Sequence, residues 1–266
     1  MITLVKTGGK ILEEETLLKQ QLQSFVQLEG PKLLVHGGGK RATDLAEKLG
    51  VETLMVKGRR ITSPAMLEVV LMVFGGLMNR TLVAKLQALG QQALGLTGAD
   101  LDLIRAEKRP VKDIDYGMVG DIVSVQAEEL LLLLERGIVP VIAPLTHDKQ
   151  GQIYNTNADT VAATVAMALA ESRATRLILS FEMPGVLLDP QDPASLLPEL
   201  DEADFQAYQA SGAIVGGMIP KLSNAFAALK AGVAEVFICH ANQLHRVGTD
   251  DFVGTKVVLV RSDLIA

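Results

Sequence analysis

The apolar residues of this chain fall in short, unbroken runs, and that pattern restricts the fold more than any other feature of the sequence. The runs 2-ITLVK-6, 32-KLLVH-36, 92-QALGL-96, 119-VGDIVSV-125, 138-IVPVIA-143, 176-RLILS-180, 235-EVFIC-239 and 256-KVVLV-260 read as strands. Longer segments of helical period lie between them, at 13–28, 40–49, 64–89, 126–136, 157–171, 201–211 and 218–231. A strand apolar on both faces has to be covered on both. The alternation therefore predicts an α/β fold, a three-layer αβα sandwich around a central, mostly parallel sheet. The Pro- and Asp-rich segment 188–202 reads as a surface loop, and a soft boundary near residue 174 divides the chain into 1–174 and 175–266. Ser63 and Pro64 suit the N-cap and first turn of the helix at 64–89, whose Met66, Met72 and Met78 are expected to fill core space.

Charge and composition exclude several functions. A formal charge of −6, no Trp and 4% aromatic residues argue against nucleic-acid binding. Cys239 is the single cysteine, and no Cys/His group has the spacing of a zinc site, so it reads as a small buried hydrophobe and no metal ligands are expected. The uncharged stretch 69-VVLMVFGGLM-78 falls short of the roughly 20 residues that span a bilayer. With no signal-peptide pattern at the start, the expectation is a cytoplasmic protein without a membrane partner.

Glycines gather where strands run into helices: Gly8-Gly9, Gly37-Gly38-Gly39 and Gly216-Gly217. In parallel sheets ligands collect at the C-terminal strand ends. Unpaired amides at helix starts attract anions there, and the missing Cβ lets them approach. No G-x-x-x-x-G-K-[ST] loop exists. Residues 37-GGGKRA-42 satisfy the loosest dinucleotide fingerprint, but the acidic ribose partner expected after the next strand is replaced by the basic 55-MVKGRRIT-62. An NADP-binding reductase is therefore one alternative.

As an ordered set, 4-LVKTGGK-10, 35-VHGGGK-40, 58-GRRIT-62, 95-GLTGAD-100, 117-GMVGDI-122, 155-NTNAD-159 and 216-GGMIPK-221 resemble the acetylglutamate kinases of the amino-acid kinase (carbamate kinase-like) fold. The resemblance covers essentially the whole chain. It implies ATP-dependent phosphorylation of the side-chain carboxylate of N-acetyl-L-glutamate in arginine biosynthesis, with Mg2+ carried by ATP. It also implies an acyl-amino-acid-binding and dimerisation lobe at 1–174 and a nucleotide-binding lobe at 175–266. By resemblance Lys6 and Lys221 are the catalytic pair, held by Asp159. Gly38, Gly39, Arg60 and Asn155 take the substrate. Gly8, Gly9, Gly37, Ser180, Glu182, Gly185, Gly217 and Met218 take the nucleotide. These residue types suit the chemistry. A carboxylate nucleophile with a pKa near 4.3 needs no general base, so the obstacle is the approach of two anions, which cations and N–H groups relieve. Asn157 and Asp159 are also good helix caps, and His36 is expected to be a buried structural residue.

The chain departs from the family pattern in two places. The strand end 179-LSFEMPGV-186 has Phe-Glu where relatives carry a single Asp, so Glu182 stands in for that Asp and nucleotide contacts there are in doubt. Strand one begins at Ile2, without the extra N-terminal helix of arginine-inhibited relatives, so a homodimer without arginine feedback is expected, paired through the helix at 64–89. An N-succinyl-L-glutamate or N-acyl-aminoadipate substrate is a further alternative, with Lys57, Arg59 or Lys10 as the cation for a larger anionic acyl group. A non-catalytic amino-acid sensor of the same fold is the alternative outside enzymes.

Overall fold

The computed structural model describes residues 1–56 and 59–260. Eight strands form one sheet, in the spatial order Glu199–Leu200, Gly254–Val257, Glu235–His240, Thr175–Phe181, Ile2–Thr7, Lys32–His36, Val139–Ile142 and Ala93–Leu96. All neighbours are parallel except Glu235–His240 and Gly254–Val257. The central strands alternate between the two faces. Leu4, Leu33, Val35, Leu177 and Leu179 join a core beneath the helices Ala127–Glu135, Ala158–Ala170 and Met218–Lys230. Val5, Leu34 and Ile178 join another beneath Glu15–Val26, Gly39–Lys48 and the helical run from Pro64 to Ala88. The expected αβα sandwich is thus present, and its sheet continues across residue 174 because Ile2–Thr7 pairs with Thr175–Phe181 over six residues.

Register sets up the site. Lys6 lies beside Leu179 and Val35, and Thr7 beside Ser180 and His36. Three strands therefore end together, and their turns (Gly8-Gly9, Gly37–Gly39 and Phe181-Glu182) leave the same edge of the sheet.

Several elements differ from expectation. A four-stranded sheet, in the order Ile153–Asn155, Leu145–His147, Ile104–Lys108 and Gly120–Val125, stands apart from the main one. The hairpin Leu54–Val56/Arg59–Ile61 forms another small sheet. Gly120–Val125 answers to the strand expected at 119–125, whereas the others are three to five residues long and, Leu54–Val56 aside, lack a continuous apolar run, so nothing in their composition separates them from loops. The helix expected at 13–28 is two helices, Gly9–Glu13 and Glu15–Val26. The helix expected at 64–89 starts as foreseen, with Ser63 Oγ accepting from the Met66 amide at 3.1 Å, but its middle, Leu71–Met78, is π-helical. Met66 and Met78 are buried, whereas Met72 is 51% exposed and fills no core.

The apolar stretch 69–78 lies within a longer helical run. The unbroken run Pro64–Ala88 is, by length and composition, long and apolar enough to cross a bilayer. Half of its most apolar window is buried within the fold, where Val69, Val70, Val73, Leu82 and Leu86 pack against the sheet.

Gly98 is wedged between two backbones: a Cβ there would sit 2.7 Å from the Leu145 carbonyl oxygen and 2.8 Å from that of Ile104. Neither neighbour can swing aside. Gly98→Ala is expected to lower stability by about 1–3 kcal/mol, read as a reduced denaturation midpoint in urea with an unchanged slope.

Candidate active site

Lys6 comes from the end of the first strand, Asp159 from the first turn of Ala158–Ala170 and Lys221 from the first turn of Met218–Lys230. They meet at one atom. Asp159 Oδ1 accepts from Lys6 Nζ at 2.9 Å and from Lys221 Nζ at 3.1 Å, and all three side chains are largely shielded from solvent. Asn157, which the sequence left open as a cap, takes that role: its Oδ1 accepts from the amides of Asp159 and Thr160. The Asp159 carboxylate is thereby free to face the lysines. Burial works to raise the Asp159 pKa, but the charges of Lys6 and Lys221 outweigh it and hold the carboxyl well below the usual range. Burial, reinforced by the Lys6 ammonium and partly offset by Asp159, brings Lys221 down to about 8. The Lys221 ammonium also stands 5.7 Å from the centroid of Phe181. One carboxylate between two lysines leaves a surplus positive charge at a helix start, a place that already favours anions.

Lys6 faces a cavity of about 240 Å3 shared with Gly9, Gly37, Gly38, Gly39, Arg60 and Asn155. Arg60 Nη2 donates to the Gly39 carbonyl and to Thr43 Oγ1, each at 2.8 Å, and burial lowers its pKa. Asn155 Nδ2 donates to Thr62 Oγ1 at 3.0 Å. Segments as far apart as those of Lys6 and Asn155 thus converge on one hole, as their ordered motifs suggested. Gly38 has φ +149°, and a Cβ there would meet the Phe74 ring at 3.0 Å. His36 is fully buried; its Nδ1–H donates to the Gly37 carbonyl at 2.8 Å, so its Nε2 accepts from Asn79 Nδ2 at 3.2 Å. Burial pushes His36 down to about 4, which keeps the ring neutral and structural.

The nucleotide-side candidates are arranged less uniformly. The Gly8 amide already donates to the Ser180 carbonyl at 2.8 Å, and a Cβ on Gly8 would press on Ser180 and Phe181. This leaves the amides of Gly9 and Lys10, in the first turn of the next helix, to meet an anion. Ser180 is fully buried, and its hydroxyl has no partner among the described residues. Gly185 is tightly packed, since a Cβ would lie 2.7 Å from both Leu196 Cδ1 and Thr255 Oγ1. Met218 opens its helix half-buried against the core. Glu182 accepts from Lys10 Nζ at 3.1 Å. The Phe-Glu departure therefore supplies a ring face for Lys221 and an acid for Lys10. Gly217, with Gly216, Tyr116 and Arg59, borders an open cleft of about 750 Å3.

Arg109 and Phe74 are among the cavity residues that escaped the sequence reading. Arg109 lines the cavity, and Asp121 Oδ1 accepts from its Nε at 2.9 Å and its Nη2 at 2.6 Å. The signal for it lay in 117-GMVGDI-122, whose Asp positions an arginine twelve residues upstream. Phe74 is presented by the π-helical turn. Arg59 also lines the cavity, whereas Lys57 lies outside the described residues. By contrast, 95-GLTGAD-100 is architectural: Asp100 Oδ2 accepts from the Thr97 amide and hydroxyl, and Gly95 gives room to Asn79.

Residues 1–240 match the amino acid kinase family. The chain belongs to that family. It is 55% identical over 245 residues to the acetylglutamate kinase of Parabacteroides distasonis, a match covering 92% of this chain and 96% of that protein. It is 53% identical over 256 residues to the acetylglutamate kinase of Bacteroides fragilis, covering 96% of each. Among solved structures, smu.665 from Streptococcus mutans superposes with a TM-score of 0.80 at 28% identity, covering 97% of this chain and 99% of that one. N-acetylglutamate synthase from Neisseria gonorrhoeae has the same fold, with a TM-score of 0.82 at 22% identity, over 98% of this chain and 60% of that one. The resemblance read from the motifs therefore holds. As an amino acid kinase with these relatives, the protein is a phosphotransferase acting on a carboxylate, and the reductase and sensor readings fall away.

For Lys221 the folded pKa of about 8 lies below the ordinary 10.5, with two consequences of opposite sign. Activity needs the ammonium, so kcat/KM is expected to fall as pH rises through about 8, and Lys221→Arg to move that limb upward. Between 8 and 10.5 the unfolded chain binds more protons at this group, so its contribution to stability rises with pH over the same window. Rate profiles and denaturant titrations from pH 7 to 10 would separate the two trends.

Proposed function

We propose that the protein transfers the γ-phosphoryl group of ATP to the side-chain carboxylate of an N-acyl-L-glutamate, N-acetyl-L-glutamate first among them, as a step of arginine biosynthesis. The observation that carries this reading is the single Asp159 oxygen shared by Lys6 and Lys221 at the mouth of the cavity. The substrate's α-carboxylate lies on Arg60, which is well suited to a paired hydrogen bond, and its amide lies near Asn155. Its reacting carboxylate points toward Lys6 past the Gly38 and Gly39 amides. The nucleotide's phosphates meet the amides at Gly9 and Gly217 together with Lys221, and its remaining contacts fall around Ser180, Glu182, Gly185 and Met218.

Chemically the protein has little covalent work to do. A carboxylate oxygen bonds to phosphorus as the bond to ADP breaks, and no proton moves. The ammonium groups offset repulsion between the anions and follow the charge as it shifts, while the cavity holds the reactants in line. Among the described residues no cluster of three acidic, His or Cys groups could cage a metal, which suits Mg2+ held by phosphate oxygens and water.

A second reading has a specific observation in its favour. Arg59 and Arg109 join Arg60 on the cavity wall, more cationic groups than one α-carboxylate occupies, so an anionic acyl group as in N-succinyl-L-glutamate is the alternative substrate. We further assign acyl-amino-acid binding to residues 1–174 and nucleotide binding to 175–266, a cytoplasmic location, and pairing as a homodimer through the exposed face around Met72 and Leu77.

A hydroxylamine trap for the acyl phosphate tests the reaction directly, with acetyl- and succinyl-glutamate run side by side. Product with neither would refute the proposal. Lys6→Ala is expected to lower kcat by about 100- to 1,000-fold while leaving the fold intact, since Asp159 keeps Lys221. Arg109→Ala is expected to raise KM for the succinyl substrate more than for the acetyl one.

A further inference from the structure

Arg59 borders three spaces and, among the described residues, has no partner. It stands on the strand Arg59–Ile61 with its side chain exposed. It lines the acyl-amino-acid cavity beside Arg60. It lines an adjoining pocket of about 380 Å3 beside Arg109 and Asp121, and the open cleft beside Tyr116, Gly216 and Gly217. Its two neighbours in charge are already engaged: Arg60 is tied to Gly39 and Thr43, and Arg109 to Asp121. Arg59, among the described residues, has neither a hydrogen bond nor an ion pair.

The cleft it faces lies at the start of Met218–Lys230, the helix that carries Lys221. Arg59 is therefore positioned where the space for the acyl amino acid opens toward the space for the triphosphate. Lys6 lines the same cavity as Arg59, Lys221 lies on the helix that the cleft borders, and sharing Asp159 leaves the two lysines with one net positive charge between them. The transferring phosphoryl group spreads its negative charge over three equatorial oxygens. A planar guanidinium can donate to two of them at once.

We propose that Arg59 is a third cation for the transferring phosphoryl group, supplied from the acyl-amino-acid side of the cleft. The proposal rests on the kinase reading above. In the step it assists, the glutamyl carboxylate oxygen bonds to the γ-phosphorus while the bridging oxygen leaves with ADP. Arg59 donates to the equatorial oxygens throughout and neither gains nor loses a proton. Arg109, anchored by Asp121 away from the helix start, is left to the acyl end of the substrate.

The test compares the full-length protein with Arg59→Ala and Arg59→Lys, using hydroxamate formation from ATP and N-acetyl-L-glutamate. Arg59→Ala is expected to lower kcat about 100-fold with KM for the acyl substrate changed by less than about threefold, and Arg59→Lys to recover part of the loss. A second readout is binding of ADP with aluminium fluoride and N-acetyl-L-glutamate, a mimic of the transfer state. That ternary affinity should fall about as far as kcat, while ADP alone binds as it does to the unaltered protein. A kcat within about threefold of the unaltered protein would overturn the proposal. So would a loss confined to KM for N-succinyl-L-glutamate, which would make Arg59 an acyl-group ligand. Absence of hydroxamate with the unaltered protein would instead remove the kinase reading beneath it, so the two failures are told apart.

Discussion

Everything at this site depends on one carboxylate oxygen accepting from two ammonium groups. Without Asp159, Lys6 and Lys221 would repel each other across a shielded space, and Lys221 would lose its proton more readily. With it, two chain segments more than two hundred residues apart are held at a fixed separation, and a positive charge is left over for an incoming phosphate. The arrangement needs a carboxylate whose own helix cap is supplied by another residue, and Asn157 supplies it. Asn157 and Asp159 of one motif thus divide two tasks that either could have performed.

The sheet provides the alignment on which that contact relies. Because Lys6 is in register with Leu179 and Val35, the turns that follow three neighbouring strands leave at one level. Glycine is required at some of these turns for opposite reasons. At Gly8 the constraint is crowding from the next strand, and its amide is spent on Ser180. At Gly38 it is a backbone angle that side chains rarely adopt, above the ring of Phe74. A cluster of glycines at a strand end is therefore no simple count of free amides.

Much of this was legible in the sequence because parallel strands buried on both faces leave an unmistakable apolar signature. Lys6, Asp159 and Lys221 each stand beside a glycine turn or a cap, where local pattern and chemistry coincide. What stayed hidden depends on contacts across space. Arg109 belongs to the site through Asp121 on the opposite strand of a hairpin, and no spacing rule announces that. Of that hairpin Gly120–Val125 registers as a strand in the sequence, whereas its partner Ile104–Lys108 is too polar to do so. Met72 was assigned to the core by its helical neighbours, but the π-helical stretch shifts which residues face inward. Phe181 and Glu182 looked like a defect in a nucleotide motif; in the fold each meets a lysine.

The buried imidazole of His36 links the turn that carries Gly37 to Asn79, whose amide also donates to the Val141 carbonyl. Its ring stays uncharged at any pH above about 4. The turn that brings Gly37 to the cavity is thereby insulated from the acidity of its surroundings, held by a latch with no ionic component at neutral pH. The pH of the medium is felt at the cleft through Lys221, while the scaffold beneath it keeps its shape.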